Sequence, residues 1–175
     1  MTFLGPLSRA AALTGLLFSA VFGALPAAAA PADVELLKSY IGEWRGRGTV
    51  TGANSETVVC RLSLKPGNQD KVNYTGRCTV AGSQLSMNGT IAYIEASKRY
   101  EAAMTSNVAF TGLAVGQKRG GGLIFNLRER DQDEEGKEIG ITAQIALNGG
   151  AIDVNFEVMY IATGEYIRAQ VPFNK

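Results

Sequence analysis

TVVCRLSLKPGNQDKVNYTGRCTV, residues 57–80, is two runs of alternating side chains joined by a turn signal. Pro66 to Asp70 supplies that signal. Proline fixes φ, glycine and asparagine tolerate the left-handed region, and an aspartate side chain can satisfy turn amides. Folding Thr57–Lys65 back on Lys71–Val80 about this turn sets Cys60 opposite Cys78, and the same register sets Val58 against Val80, Leu62 against Gly76 and Leu64 against Tyr74. These residues share one face, whereas Val59, Arg61, Ser63 and Lys65 take the other. A slip of one residue would move every side chain to the wrong face, so the cysteines and the apolar pattern select the same hairpin. The chain has only these two cysteines. Their disulfide closes a loop whose constraint on the unfolded chain is worth about 3 kcal/mol. A redox-active pair needs thiols close in sequence in an activating environment; no C-x-x-C occurs here, and the bond reads as structural.

Working outward, the period of two recurs with turn signals between the runs. Upstream, Trp44, Gly46, Gly48 and Val50 alternate with Arg45, Arg47, Thr49 and Thr51. Downstream come Leu85, Met87, Gly89, Ile91 and Tyr93, then Tyr100, Ala102 and Met104, then a short strand around Phe110 leading to a turn over Gly116–Gly122. Leu123, Phe125 and Leu127 follow, then Ile139 to Leu147, the turn Asn148-Gly149-Gly150, Ile152 to Tyr160, the turn Thr163-Gly164, and Tyr166 to Phe173. Before all of these, Val34, Leu37 and Ile41 stand at helical spacing, with Asp33 near the expected helix start. A sheet with one apolar face must cover it, and an unbroken meander does so by closing on itself. The expected fold is all-β: a closed antiparallel β-barrel of about ten strands (eight to ten) with a short N-terminal helix closing one end. An outer-membrane barrel shares the alternation but turns its apolar face to lipid. Against it stand the ending Phe173-Asn174-Lys175, short loops, and aromatics that do not gather at strand ends.

Residues 1–29 read as a cleavable export signal: Arg9 in a short leading segment, an apolar run from Ala10 to Leu25, Pro26, and a small-residue site with Ala28 or Ala29 as the last residue removed. A membrane span needs about 20 apolar residues, more than this run offers, and no cysteine follows it closely enough to carry a lipid. The expectation is a single domain over residues 30–175, free in the periplasm of a Gram-negative bacterium with no stable membrane anchor after cleavage. Without Arg9, 16 basic side chains face 16 acidic ones. Such a neutral domain has no clustered Lys and Arg for nucleic acid or an anionic membrane. The 21 glycines and 5 prolines suit strands joined by tight turns.

Gly42-Glu43-Trp44 after a short helix, with Arg168 in the last strand, resembles the G-x-W and terminal Arg of the lipocalin and calycin barrels. The longer stretch Leu37–Gly48, with the rhythm Ile41-Gly42-x-Trp44-x-Gly46-x-Gly48, resembles the opening of the nitrobindin-type haem-binding barrels of ten strands. The resemblance implies a structural pair, with Trp44 packed across the closed end and Arg168 lying against it, a cation–π contact of about 0.5–2 kcal/mol. It also implies a His on haem iron, and this chain has no His. Tyr74, Tyr100, Met87 and Met104 are of types that ligate haem in other folds, but no cofactor is expected.

The missing His removes Ser-His-Asp and Cys-His mechanisms and His-based zinc sites. Asp131-Gln132-Asp133-Glu134-Glu135-Gly136 imitates the start of a calcium loop, but Thr142 stands where the closing Glu belongs and the flanks are strands. It reads as a solvated hairpin turn. Gly116–Gly122 lacks the Lys-Ser or Lys-Thr of a phosphate loop. Asp153 and Glu157 share the polar face. No catalytic set emerges. The expected function is binding of a small apolar ligand inside the barrel, with Tyr74, Met87, Tyr93, Tyr100, Met104, Phe125, Phe156 and Tyr160 as candidate lining, and with inward Gly46, Gly48, Gly76 and Gly89 leaving room. The alternatives are a periplasmic interaction or protease-inhibitor-like protein, for which Pro31–Asp33 would be extended, and, third, an outer-membrane barrel or an enzyme of unseen chemistry.

Overall fold

The computed structural model describes residues 29–108, 111–133 and 135–175. Most of the expected export signal, as well as Phe110 and Glu134, lies outside the described residues. One helix, α1 (Ala29–Lys38), precedes ten strands: β1 (Gly42–Thr51), β2 (Ser55–Pro66), β3 (Val72–Val80), β4 (Ser83–Ile94), β5 (Arg99–Ser106), β6 (Thr111–Arg119), β7 (Gly122–Gln132), β8 (Glu138–Asn148), β9 (Ala151–Tyr160) and β10 (Tyr166–Asn174). Each strand pairs antiparallel with its sequence neighbours, and β1 pairs with both β2 and β10, closing the barrel. Closure leaves no strand edge to attract another chain.

The β2–β3 hairpin takes the register expected from its sequence: Cys60 opposes Cys78, Leu62 opposes Gly76 and Leu64 opposes Tyr74. In its turn Gln69 and Asp70 take φ of 55° and 61°, and the Gly67 amide donates to the Lys71 carbonyl at 2.8 Å. The β3–β4 hairpin turns on Ala81-Gly82, both at positive φ (50° and 79°), the two-residue geometry whose twist matches that of the flanking strands.

Two boundaries differ from expectation. The helix already includes Ala29, the first described residue, so Asp33 lies inside it. Gly116–Gly122 is not one long turn: β6 continues to Arg119 and only Gly120-Gly121 separates it from β7. Four glycines within seven residues suggest a loop, but Gly116 faces inward, where the Phe125 ring takes the space that a side chain would need.

α1 plugs one end of the barrel. Leu37 and Tyr40 are fully buried, and around them lie Trp44, Leu64, Val72, Tyr100, Leu123, Phe125, Leu147, Ile152 and Phe173, all at 5 % exposure or less. The Tyr40 hydroxyl donates to the Leu147 carbonyl at 2.9 Å, and the Trp44 indole N–H donates to the Tyr40 carbonyl at 3.0 Å. Gly42 takes φ +147° on the way into β1, a conformation open to glycine alone among common residues, and this is the physical content of the G-x-W pattern.

Candidate functional site

The two ends of the barrel interior differ. Around α1 the inward side chains form a solid core, whereas towards the opposite end many inward side chains are only half-buried. Those half-buried side chains include Cys78, Val80, Met87 and Met104 on one wall and Ala143, Phe156, Val158 and Tyr160 on the other. Alternation along the strands places all of them on the inner face. An inward apolar side chain that keeps contact with solvent must meet it through the unplugged end. That end is the less closed of the two, although Val58, Leu127, Ile139 and Ile141 within it are buried.

The candidate lining residues divide between these regions. Tyr100 and Phe125 are core, at 1 % exposure each, with their rings edge-on at 6.2 Å between centroids. Tyr93 packs beside Tyr100, 5.1 Å away, near the plug. Met87, Met104, Phe156 and Tyr160 stand in the half away from the plug, whereas Tyr74 lies opposite Leu64 of the core with its ring over Gly89. The Tyr74 hydroxyl donates to the Ala103 carbonyl at 3.1 Å, and burial pushes its pKa well above the usual phenol value.

The inward glycines do not supply room as expected. A Cβ at Gly46 would run into Phe173 and Val171, at Gly76 into Met87, and at Gly89 into the Tyr74 ring and the Ala103 carbonyl; at Gly48 it would meet the backbone of Gln170. Each glycine lets a neighbouring strand or side chain approach closely, as at the bends of small barrels. Openness comes instead from half-buried residues of ordinary size.

The cation over Trp44 is Lys175, its Nζ 4.9 Å from the ring centroid. Arg168 does not lie against Trp44. It sits on the outer face of β10 towards the mouth, stacked on Tyr166 at 3.9 Å and ion-paired with Glu157. The sequence signal for Lys175 was weak, because a terminal lysine reads as solvated.

Asp33, on α1, accepts a hydrogen bond from Lys118 at 2.8 Å, and the Tyr100 hydroxyl lies 3.1 Å from both its carboxylate and its carbonyl. The Lys118 contact holds the Asp33 carboxyl below its usual pKa, partly opposed by burial. Burial, and then the Asp33 charge, raise the Tyr100 phenol. This cluster ties the plug to β5 and β6. The acidic β7–β8 turn is built the same way from within, with Asp133 accepting from the amides of Glu135 and Lys137 at 2.9 Å each.

A groove of about 740 Å³ lies on the outside of the wall. Two registered rows line it, Thr49-Gln170-Asn155-Gln144-Asn126 and Thr51-Arg168-Glu157-Thr142-Arg128. All ten are outward positions, and the inward-alternating Leu127, Ala143, Phe156 and Ala169 complete the lining.

No protein-family profile and no curated protein matches the chain. Among solved structures, the chain is similar to Rv2717c from M. tuberculosis, at 13 % identity and a TM-score of 0.63, covering 81 % of this chain and 96 % of that one. It is also similar to the S-type phycobiliprotein lyase CPES from Guillardia theta, at 8 % identity and a TM-score of 0.54, covering 79 % and 89 %. At these identities the likeness is one of fold, a closed antiparallel barrel.

Proposed function

We propose that this chain is an exported, periplasmic barrel that holds one small apolar ligand in its open half and catalyses no reaction. The observation that carries the reading is the row of inward apolar side chains left half-buried opposite a fully buried, helix-plugged end. Water against such a surface is displaced favourably, by about 25 cal/mol for each Å² of apolar area covered. The Cys60–Cys78 bond fits an oxidising compartment, and among the described residues no helix is long and apolar enough to cross a membrane. The nitrobindin-type outline of Leu37–Gly48 enters as a likeness of barrel only, since the His that family uses is missing. The interaction or protease-inhibitor reading called for an extended Pro31–Asp33, and these residues lie within α1.

The test is titration with the neutral fluorophore N-phenyl-1-naphthylamine. We expect saturable binding at about one per chain, raising stability by about 2.7 kcal/mol at a hundredfold excess over Kd. Ala143→Trp, placed in the open half away from the strand bends, should abolish binding while the protein still folds. No saturable binding, together with an Ala143→Trp variant destabilised by roughly 1–3 kcal/mol from overpacking, would mean a solid interior and end the proposal.

A further inference from the structure

Charge on the inner face is distributed with one sign at the mouth. Glu56 follows the inward alternation of Val58 and Cys60 on β2, and Glu129 follows that of Leu127 and Phe125 on β7. Each is half-buried, and each stands one inward position rimward of a residue at 4 % exposure, Val58 or Leu127. Asp131, opposite Ile139, continues the β7 row to the exposed rim. Strands β2 and β7 are five places apart in either direction around the ten-strand ring, so the two half-buried carboxylates occupy opposite walls. Among the described residues neither Glu56 nor Glu129 has a cationic partner, and the only Lys or Arg on an inward strand position is Lys118, held by Asp33 at the plugged end. Of the nearby bases, Arg130 points outward and Lys137 pairs with Glu135.

A half-buried carboxylate without a counter-charge is a cost to the folded state. Two on opposite walls of an apolar opening, with Asp131 beyond Glu129 at the rim, attract a cation and repel an anion, and the like-charge juxtaposition enforces the choice of partner. From this distribution we infer that the ligand of the open half is an apolar organic cation: an apolar body that enters the barrel and an amine or quaternary ammonium group left between Glu56 and Glu129. The inference rests on the apolar-ligand reading above and adds the head-group chemistry to it. Fatty carboxylates, with the same tail and the opposite charge, are the ligands that it excludes.

The experiment measures displacement of bound N-phenyl-1-naphthylamine by dodecyltrimethylammonium and by dodecanoate, both below their micellar concentrations, on the native protein and on the Glu56→Gln/Glu129→Gln double variant, each checked for an unchanged melting profile. The native protein should prefer the cation by about tenfold or more, a ratio equivalent to about 1.4 kcal/mol. That ratio should shrink as salt is raised and fall towards one in the double variant, with Glu129→Lys alone shifting it towards the carboxylate. Equal affinities in the native protein, a preference for dodecanoate, or a cation preference that survives in the double variant would overturn the inference while leaving the cavity intact. Failure of the native protein to bind the neutral fluorophore at all would instead remove the cavity, and this inference with it.

Discussion

Cys60 and Cys78 face one another across β2 and β3 with Cα atoms 4.1 Å apart and their sulfurs bonded. Cys60 is 2 % exposed, whereas Cys78 is half-buried. Non-reducing peptide mapping should recover the two residues in one linked fragment. Cys60→Ser should keep the fold but lose about 3 kcal/mol, lowering Tm by roughly 10 °C; two free thiols in protein purified without reductant would contradict this. The pairing was legible because the cysteines and the apolar residues around them independently demand one register. Trp44 was legible in part. Its place in the core follows from the G-x-W pattern, but its cation does not: a ring accepts any nearby charge, and the sequence cannot show that the chain end at Lys175 lies closer to it than Arg168 does.

At the scale of elements, the plug is held by burial and by two charged contacts, Asp33 with Lys118 and Lys38 with Asp70 in the β2–β3 turn. Leu37 supplies the burial, and the Asp33 carboxylate, bridged to Lys118 on β6 and Tyr100 on β5, fixes the helix rotation. Because the Lys118 hydrogen bond depresses the folded-state pKa of Asp33, the Asp33 contact contributes fully at pH values above the unfolded-state pKa of about 4. It is lost as pH falls through the lower folded-state value. Lys118→Met should therefore lower stability at neutral pH and converge with the native protein in strong acid, a difference read from urea melts across pH. A constant difference at every pH would show that Lys118 acts only through packing. Neither partner was assigned this role from sequence. Asp33 resembled a helix cap, and Lys118 lay in a glycine-rich run that reads as a turn, although glycine there makes way for Phe125 inside a regular strand. Strand existence and pairing, by contrast, followed directly from alternation, because a period of two is a property of each segment alone.

The whole molecule sets one end against the other, a plugged apolar core beneath an open mouth whose inner charges are carboxylates. This polarity explains why the candidate lining split. Periodicity tells inward from outward, but height along the barrel axis depends on strand tilt and on where the helix docks, so Tyr100 and Phe125 could not be separated from Met104 and Phe156 by pattern. It also bears on haem. The chain has no His. The phenols of Tyr74 and Tyr100 already donate within the protein, and burial raises both pKa values, which opposes the phenolate that would bind iron. Met87 and Met104 remain as thioethers in the open half, but haem would have to bring its propionates past Glu56 and Glu129. Haem titrated into the purified protein should accordingly give no Soret band that survives desalting. The control is the Glu56→Gln/Glu129→Gln variant, which tests whether the rim charge alone excludes haem: weak haem uptake there, absent from the native protein, would assign the exclusion to charge. A stoichiometric band in the native protein that disappears in Met104→Ala or Tyr100→Phe would show that the interior ligates iron without histidine, and would replace the organic-cation reading with a haem site.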